Sequence, residues 1–138
     1  MIPILVLTHG TLAEELLQAA RTIDPHIAEA SVALSLPWDV DSDEAGRTVK
    51  AKIRELDQGD GVLILTDMFG GTATNVALPH LVPDRVEVVT GVNLPMLVKL
   101  GSLQRHGLDL RELADRLTTA GQKSIRVASE FLHARTQA

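Results

Sequence analysis

The chain has 138 residues, a net charge of −5 and 45% hydrophobic residues, enough apolar material for one well-packed domain and too much for a disordered chain. It contains no cysteine, which excludes a disulfide scaffold, a thiol nucleophile and a zinc–thiolate site. Its aromatics are Trp38, Phe69 and Phe131 alone and it has no Lys/Arg run, so neither base stacking nor a phosphate-backbone footprint is expected, and no nucleic-acid partner.

The N-terminal "MIPILVLTHG" lacks the basic start and the cleavage site of a secretion signal. No apolar run approaches the ~20 residues of a membrane span. The default expectation is a cytoplasmic protein. Residues 2–8, "IPILVLT", form a continuous aliphatic run, the pattern of a strand buried on both faces. A helix follows, with Leu12, Leu16, Ala20 and Ile23 at helical spacing. Thr11 and Glu14 have the spacing of a capping box, which predicts Thr11 as N-cap. A weaker strand spans residues 30–36, and the next helix begins with Asp41, Asp43 and Glu44, which suit the positive end of a helix dipole. Its predicted buried stripe is Ala45, Val49, Ile53 and Leu56.

"VLILT" (62–66) is the next fully buried strand, and "DMFGGTATNVAL" is a loop running into a short helix stopped near Pro79 and Pro83. Residues 85–91 read as a strand, followed by a helix with Pro95 in its first turn and Gly107 past its end. Asp109 and Glu112 start one more helix, closed by Gly121, and "SIRVA" (124–128) reads as a short last strand. The tail over residues 129–138 is either loose or helical. Strand and helix alternate four times, which predicts a single α/β domain over residues 1–138, with a mainly parallel sheet and helices on both faces.

Open parallel sheets bind ligands beyond the carboxyl ends of their strands, where strand order reverses. The ends to compare are Thr8-His9-Gly10, Pro37-Trp38-Asp39, Asp67-Met68-Phe69-Gly70-Gly71-Thr72 and Gly91-Val92-Asn93. If the first and third strands are neighbours, His9 and Asp67 meet. A neutral imidazole is a nucleophile near neutral pH, and a carboxylate on its other nitrogen fixes the tautomer and aims the ring. The same pair could act as general base and orienter, or as half of a metal site. Gly70, Gly71 and Thr72 narrow the choice, because backbone amides at a helix start can cradle an anion. No lysine follows the glycines, so the loop is not a nucleotide-binding P-loop, and a single phosphoryl group suits it better. His26, His80, His106 and His133 have no partner at ligand spacing, so no metal site is expected.

Three segments, "THGTLAEELLQAA", "GVLILTDMFGGTATNVA" and "VVTGVNLPML", resemble the signatures of mannose/fructose-family enzyme IIA domains of the bacterial sugar phosphotransferase system. The resemblance runs from about Ile2 to Val127. It implies a phosphoryl carrier without a cofactor, in which His9 accepts a phosphoryl group from phosphohistidine of the small carrier HPr and passes it to an enzyme IIB. Asp67 would orient His9, and Gly70, Gly71 and Thr72 would hold the phosphoryl oxygens. Thr8, Gly10, Trp38, Met68, Phe69 and Asn93 would form the rim.

The resemblance further implies a three-layer α/β/α fold with four parallel strands and a fifth, antiparallel strand, matched by "SIRVA", exchanged in a homodimer. Any membrane contact would be indirect, through a transporter complex. Met68 and Ala73 depart from residues common in the family. No enzyme IIB segment is fused within the chain, so the expected acceptor is a separate protein or a regulatory target. Related domains also feed a dihydroxyacetone kinase, but there serine usually follows the histidine, and Gly10 favours the sugar branch. A binding module with a structural His9 is the remaining alternative.

Overall fold

A computed structural model describes residues 1–137. Its parallel sheet is built from β1 (Ile4–His9), β2 (Ser31–Leu36), β3 (Val62–Thr66) and β4 (Val86–Thr90), in the order β2-β1-β3-β4. β1 and β3 are central and form the cores of the two apolar runs; β3 is buried throughout and β1 is buried up to Thr8. Alternation along β1 sends Ile4 and Val6 to one face and Leu5 and Leu7 to the other.

Helices α1 (Leu12–Ile23), α4 (Leu94–Gln104) and α5 (Leu110–Lys123) cover the first face, and α2 (Ser42–Leu56) and α3 (Thr72–Ala77) cover the second. This gives the expected α/β/α layering. Leu65, Leu97 and Leu117 are completely buried, and truncating such a leucine to alanine costs about 2–5 kcal/mol. Among the described residues, no helix is long and apolar enough to cross a membrane.

The helix starts are partly as the spacing predicts. Asp109 and Glu112 form a reciprocal capping box, and Asp41 caps α2 through the Glu44 amide. Thr11 does not cap α1. Its ψ of 9° is close to helical rather than extended, so its hydroxyl makes no capping bond. Thr8 takes over: its buried Oγ1 accepts the Ala13 amide at 2.7 Å. The buried stripe of α1 is Ala13, Leu17 and Ala20: Ala20 is as predicted, whereas Ala13 and Leu17 are buried in place of Leu12 and Leu16, and Leu12 and Ile23 are exposed.

Gly121 lies inside α5 rather than at its end. A Cβ there would lie 2.7 Å from Met96 Cγ, so glycine permits close packing of α5 on the start of α4. Residues 124–127 form no strand within the chain. α5 ends as Ser124 Oγ donates to the Ala120 carbonyl at 2.7 Å, and Ile125 and Val127 then run exposed. A strand needs a ladder partner, and this segment finds none among the described residues. The tail is helical, as α6 (Ala128–Gln137).

Candidate functional site

The sheet order places the switch point between β1 and β3, and the two richest strand ends meet there. His9 Nδ1 lies 2.7 Å from Asp67 Oδ2, and the His9 main-chain amide donates to the same oxygen at 3.0 Å. The Met68 amide donates to Asp67 Oδ1 at 2.9 Å. Burial alone would raise the Asp67 pKa, but the bonds from the His9 amide, the His9 ring and the Met68 amide outweigh it and hold the carboxyl below its ordinary value. The carboxylate is therefore ionised at neutral pH. An ionised carboxylate only accepts, so Nδ1 carries a proton; in the neutral ring the lone pair is then on Nε2, which makes no hydrogen bond among the described residues.

The ring is confined on further sides. Trp38 stacks on it, with centroids 4.8 Å apart and planes 15° from parallel. A Cβ on Gly71 would sit 3.0 Å from His9 Cε1, closer than side chains normally tolerate. Gly71 is therefore required for its lack of a side chain. Its own amide turns toward the Met68 carbonyl at 3.4 Å, whereas the amides of Gly70 and Thr72 and the Thr72 hydroxyl make no hydrogen bond among the described residues. These groups are free donors at the start of α3. Gly70 has φ +85°, a conformation that favours glycine.

Two residues that fix this loop carry no signal in the sequence. Thr74 Oγ1 donates to the Met68 carbonyl at 2.6 Å and lies 2.7 Å from Thr66 Oγ1. One hydroxyl pair thus bolts the Asp67–Met68 turn to both β3 and α3. On the other side, the Gly10 amide donates to the Leu36 carbonyl at 2.9 Å, which holds the β1 and β2 ends together and sets Trp38 over His9. Gly10 has φ +56°, and a Cβ there would lie 3.1 Å from Trp38 Nε1.

Among the rim residues, Trp38, Met68 and Phe69 are exposed, and Leu12 at the start of α1 is a further exposed apolar residue. Thr8 is wholly buried and serves as the cap described above. Asn93 is spent on structure: its Oδ1 accepts the Met96 amide at 3.1 Å and its Nδ2 donates to the Gly121 carbonyl at 3.3 Å. No hydrogen bond or ring contact joins it to His9. Among the described residues, no three of His, Asp and Glu cluster as a metal site.

The geometry is that of an oriented imidazole with one free nitrogen, next to unpaired amide donors. The chain as a whole is similar to known proteins. The sequence model of the family described as PTS system fructose IIA component matches residues 3–118. The fructose-specific EIIA component of Bacillus subtilis is 31% identical over 137 residues, covering 96% of this chain and 90% of that protein. The mannose-specific EIIAB component of Escherichia coli K12 is 36% identical over 104 residues, which are 71% of this chain and 30% of that longer protein. Among solved structures, the phosphotransferase component EIIA from Streptococcus agalactiae superposes with a TM-score of 0.82 at 25% identity, covering 94% of this chain and 99% of that one. The PTS IIA protein associated with the fucose utilization operon of Streptococcus pneumoniae gives 0.79 at 31% identity, covering 94% and 95%. The chain belongs to the fructose/mannose-type enzyme IIA family of the sugar phosphotransferase system.

Proposed function

We propose that this enzyme IIA is a phosphoryl carrier in which His9 Nε2 takes a phosphoryl group from phosphohistidine of an HPr-type carrier and passes it to an enzyme IIB, in the cytoplasm. The observation that carries this reading is the 2.7 Å Nδ1–Oδ2 bond between His9 and Asp67, which leaves Nε2 as the nucleophile.

The chemistry follows from the parts. The Nε2 lone pair attacks phosphorus in line with the donor nitrogen. The new N–P bond forms as the old one breaks, and the old bond's electrons stay on the donor nitrogen. The His9 ring gains positive charge while Nδ1 keeps its proton, and the ionised Asp67 beside it stabilises that charge. The transition state is loose, so the protein contributes mainly position and charge stabilisation. The free amides of Gly70 and Thr72 and the Thr72 hydroxyl are the donors for the phosphoryl oxygens, at the positive end of α3. Attack and departure use the same groups, so the site can both load and discharge.

The exposed apolar residues Ile125 and Val127 support the homodimer that the family resemblance implies, with the segment after α5 placed against a second copy. The carrier role is tested by label transfer from phosphoenolpyruvate through enzyme I and HPr, using the wild-type protein and His9→Ala. The wild type is expected to take up one phosphoryl group and the variant none, with an unchanged far-UV spectrum. Uptake by a folded His9→Ala protein would overturn the assignment.

A further inference from the structure

We propose that Trp38 is a positioning residue for phosphoryl transfer: its indole face holds the His9 imidazole in its reactive orientation and stabilises the positive charge the ring gains when Nε2 bonds phosphorus. The proposal rests on His9 being the phosphoryl acceptor.

Three observations lead to it. Trp38 is the only tryptophan in the chain, and it is 80% exposed, so it contributes little to the core. Among the described residues its one aromatic contact is the stack on His9, at 4.8 Å and 15°. The backbone is shaped to keep it there: the Gly10 amide is tied to Leu36, the Val40 amide donates to the Pro37 carbonyl, and a side chain at Gly10 would press on the indole nitrogen.

The charge balance of the transfer gives the stack its chemical meaning. Attack requires a neutral ring with a lone pair on Nε2. After attack Nε2 bears the phosphoryl group, Nδ1 retains its proton toward Asp67, and the ring is an N-phosphoryl imidazolium until the group leaves. A cation within ~6 Å of an aromatic face is attracted by the ring quadrupole, more strongly for tryptophan than for phenylalanine. The interaction is therefore stronger in the transition state than in the neutral ground state, which is the condition for raising the rate. Asp67 holds one edge of the ring and Gly71 abuts Cε1, and Trp38 covers a face.

The test uses the full chain with Trp38→Phe and Trp38→Leu. Phenylalanine keeps an aromatic face; leucine keeps apolar bulk without one. Transfer from phospho-HPr is measured as kcat and KM. The expected result is a loss of about 3- to 30-fold in kcat for Trp38→Leu, with KM changed less, and recovery of most of that loss by Trp38→Phe. A Trp38→Leu protein with wild-type kcat, or one altered only in KM, would overturn the proposal and make Trp38 a docking residue. Proton NMR of the unphosphorylated proteins gives a second readout. The His9 ring protons should be shifted upfield by the indole in the wild type and return downfield in Trp38→Leu; no difference would overturn the stacking itself. Failure of the wild type to accept phosphate would instead remove the acceptor reading, and would leave the NMR comparison intact.

Discussion

Asp67→Asn isolates the charge of the orienting group from its shape. Every position around the Asp67 carboxylate is an acceptor position. Oδ2 receives the His9 ring at 2.7 Å and the His9 amide at 3.0 Å, and Oδ1 receives the Met68 amide at 2.9 Å. An asparagine must place its NH2 against one of these sets. Toward His9, it would face two donors, and it could bond the ring only by moving the proton to Nε2, the atom that must attack. Toward Met68, it loses one amide bond but keeps a neutral bond to the ring. The second arrangement costs less and retains a competent tautomer. What is then lost is the charge-assisted part of the hydrogen bond, about 1–1.5 kcal/mol, which corresponds to about 5- to 13-fold in rate. The Met68 amide bond is exposed, so water can replace it and its loss lowers stability by about 1 kcal/mol or less. Rapid-quench transfer from phospho-HPr and thermal unfolding measure the two effects separately. Wild-type rate in a variant that binds phospho-HPr normally would refute the role given to Asp67.

Other perturbations probe the rest of the site and fold. Gly71→Ala is compatible with the backbone, at φ −80° and ψ 166°, so its effect is steric. It should displace the His9 ring by a few tenths of an ångström and slow phosphorylation about tenfold, with little change in melting temperature; an unaffected rate would show that Gly71 does not set the ring's position. Thr8→Val removes the buried cap of α1 at nearly constant volume and should cost about 1–2 kcal/mol in urea unfolding. Hydrogen bonds from the Gly59 amide, with burial opposing, and then from the Gly61 amide and Arg85, hold Asp57 below its ordinary pKa, as His9 and Met68 hold Asp67. A depressed folded pKa adds stability above the unfolded value of ~3.9 and loses it as pH falls through the folded value. Acid titration should therefore show stability falling below about pH 4, with a shallower fall in Asp57→Asn. Light scattering should give the mass of two chains for the wild type, and Ile125→Asp with Val127→Asp should shift it toward one; a monomeric wild type would contradict the dimer.

Much of this architecture is readable from apolar runs. β1 and β3 are buried on both faces, so their sequences are continuous rather than alternating, and strand–helix alternation leaves few layerings to choose from. The His9–Asp67 pair was legible only conditionally, because a run of residues does not state which strands are neighbours. The switch point between β1 and β3 supplies that condition.

The errors have local causes. Thr11 has the spacing of a cap but lacks its backbone angles, because Gly10 turns the chain through positive φ and leaves Thr8 to reach the helix start. Leu12 and Ile23 fit a helical stripe, yet the small Ala13 and Ala20 face the sheet, where α1 packs closely. Asn93 lies at a strand end like the site residues, but its amide caps α4. The Thr66–Thr74 pair cannot be found by any periodicity, because it depends on the turn between β3 and α3. "SIRVA" has strand composition, but composition does not specify the partner that a strand requires.

The central claim is that phosphate resides on one nitrogen of one histidine. Uniformly 15N-labelled protein, phosphorylated by phosphoenolpyruvate, enzyme I and HPr, can be examined by long-range proton–nitrogen NMR of its histidine rings. The account predicts a single phosphorylated ring, His9, with the phosphoryl group on Nε2 and the proton on Nδ1. Phosphate on Nδ1 of His9, or on any of His26, His80, His106 and His133, would contradict it.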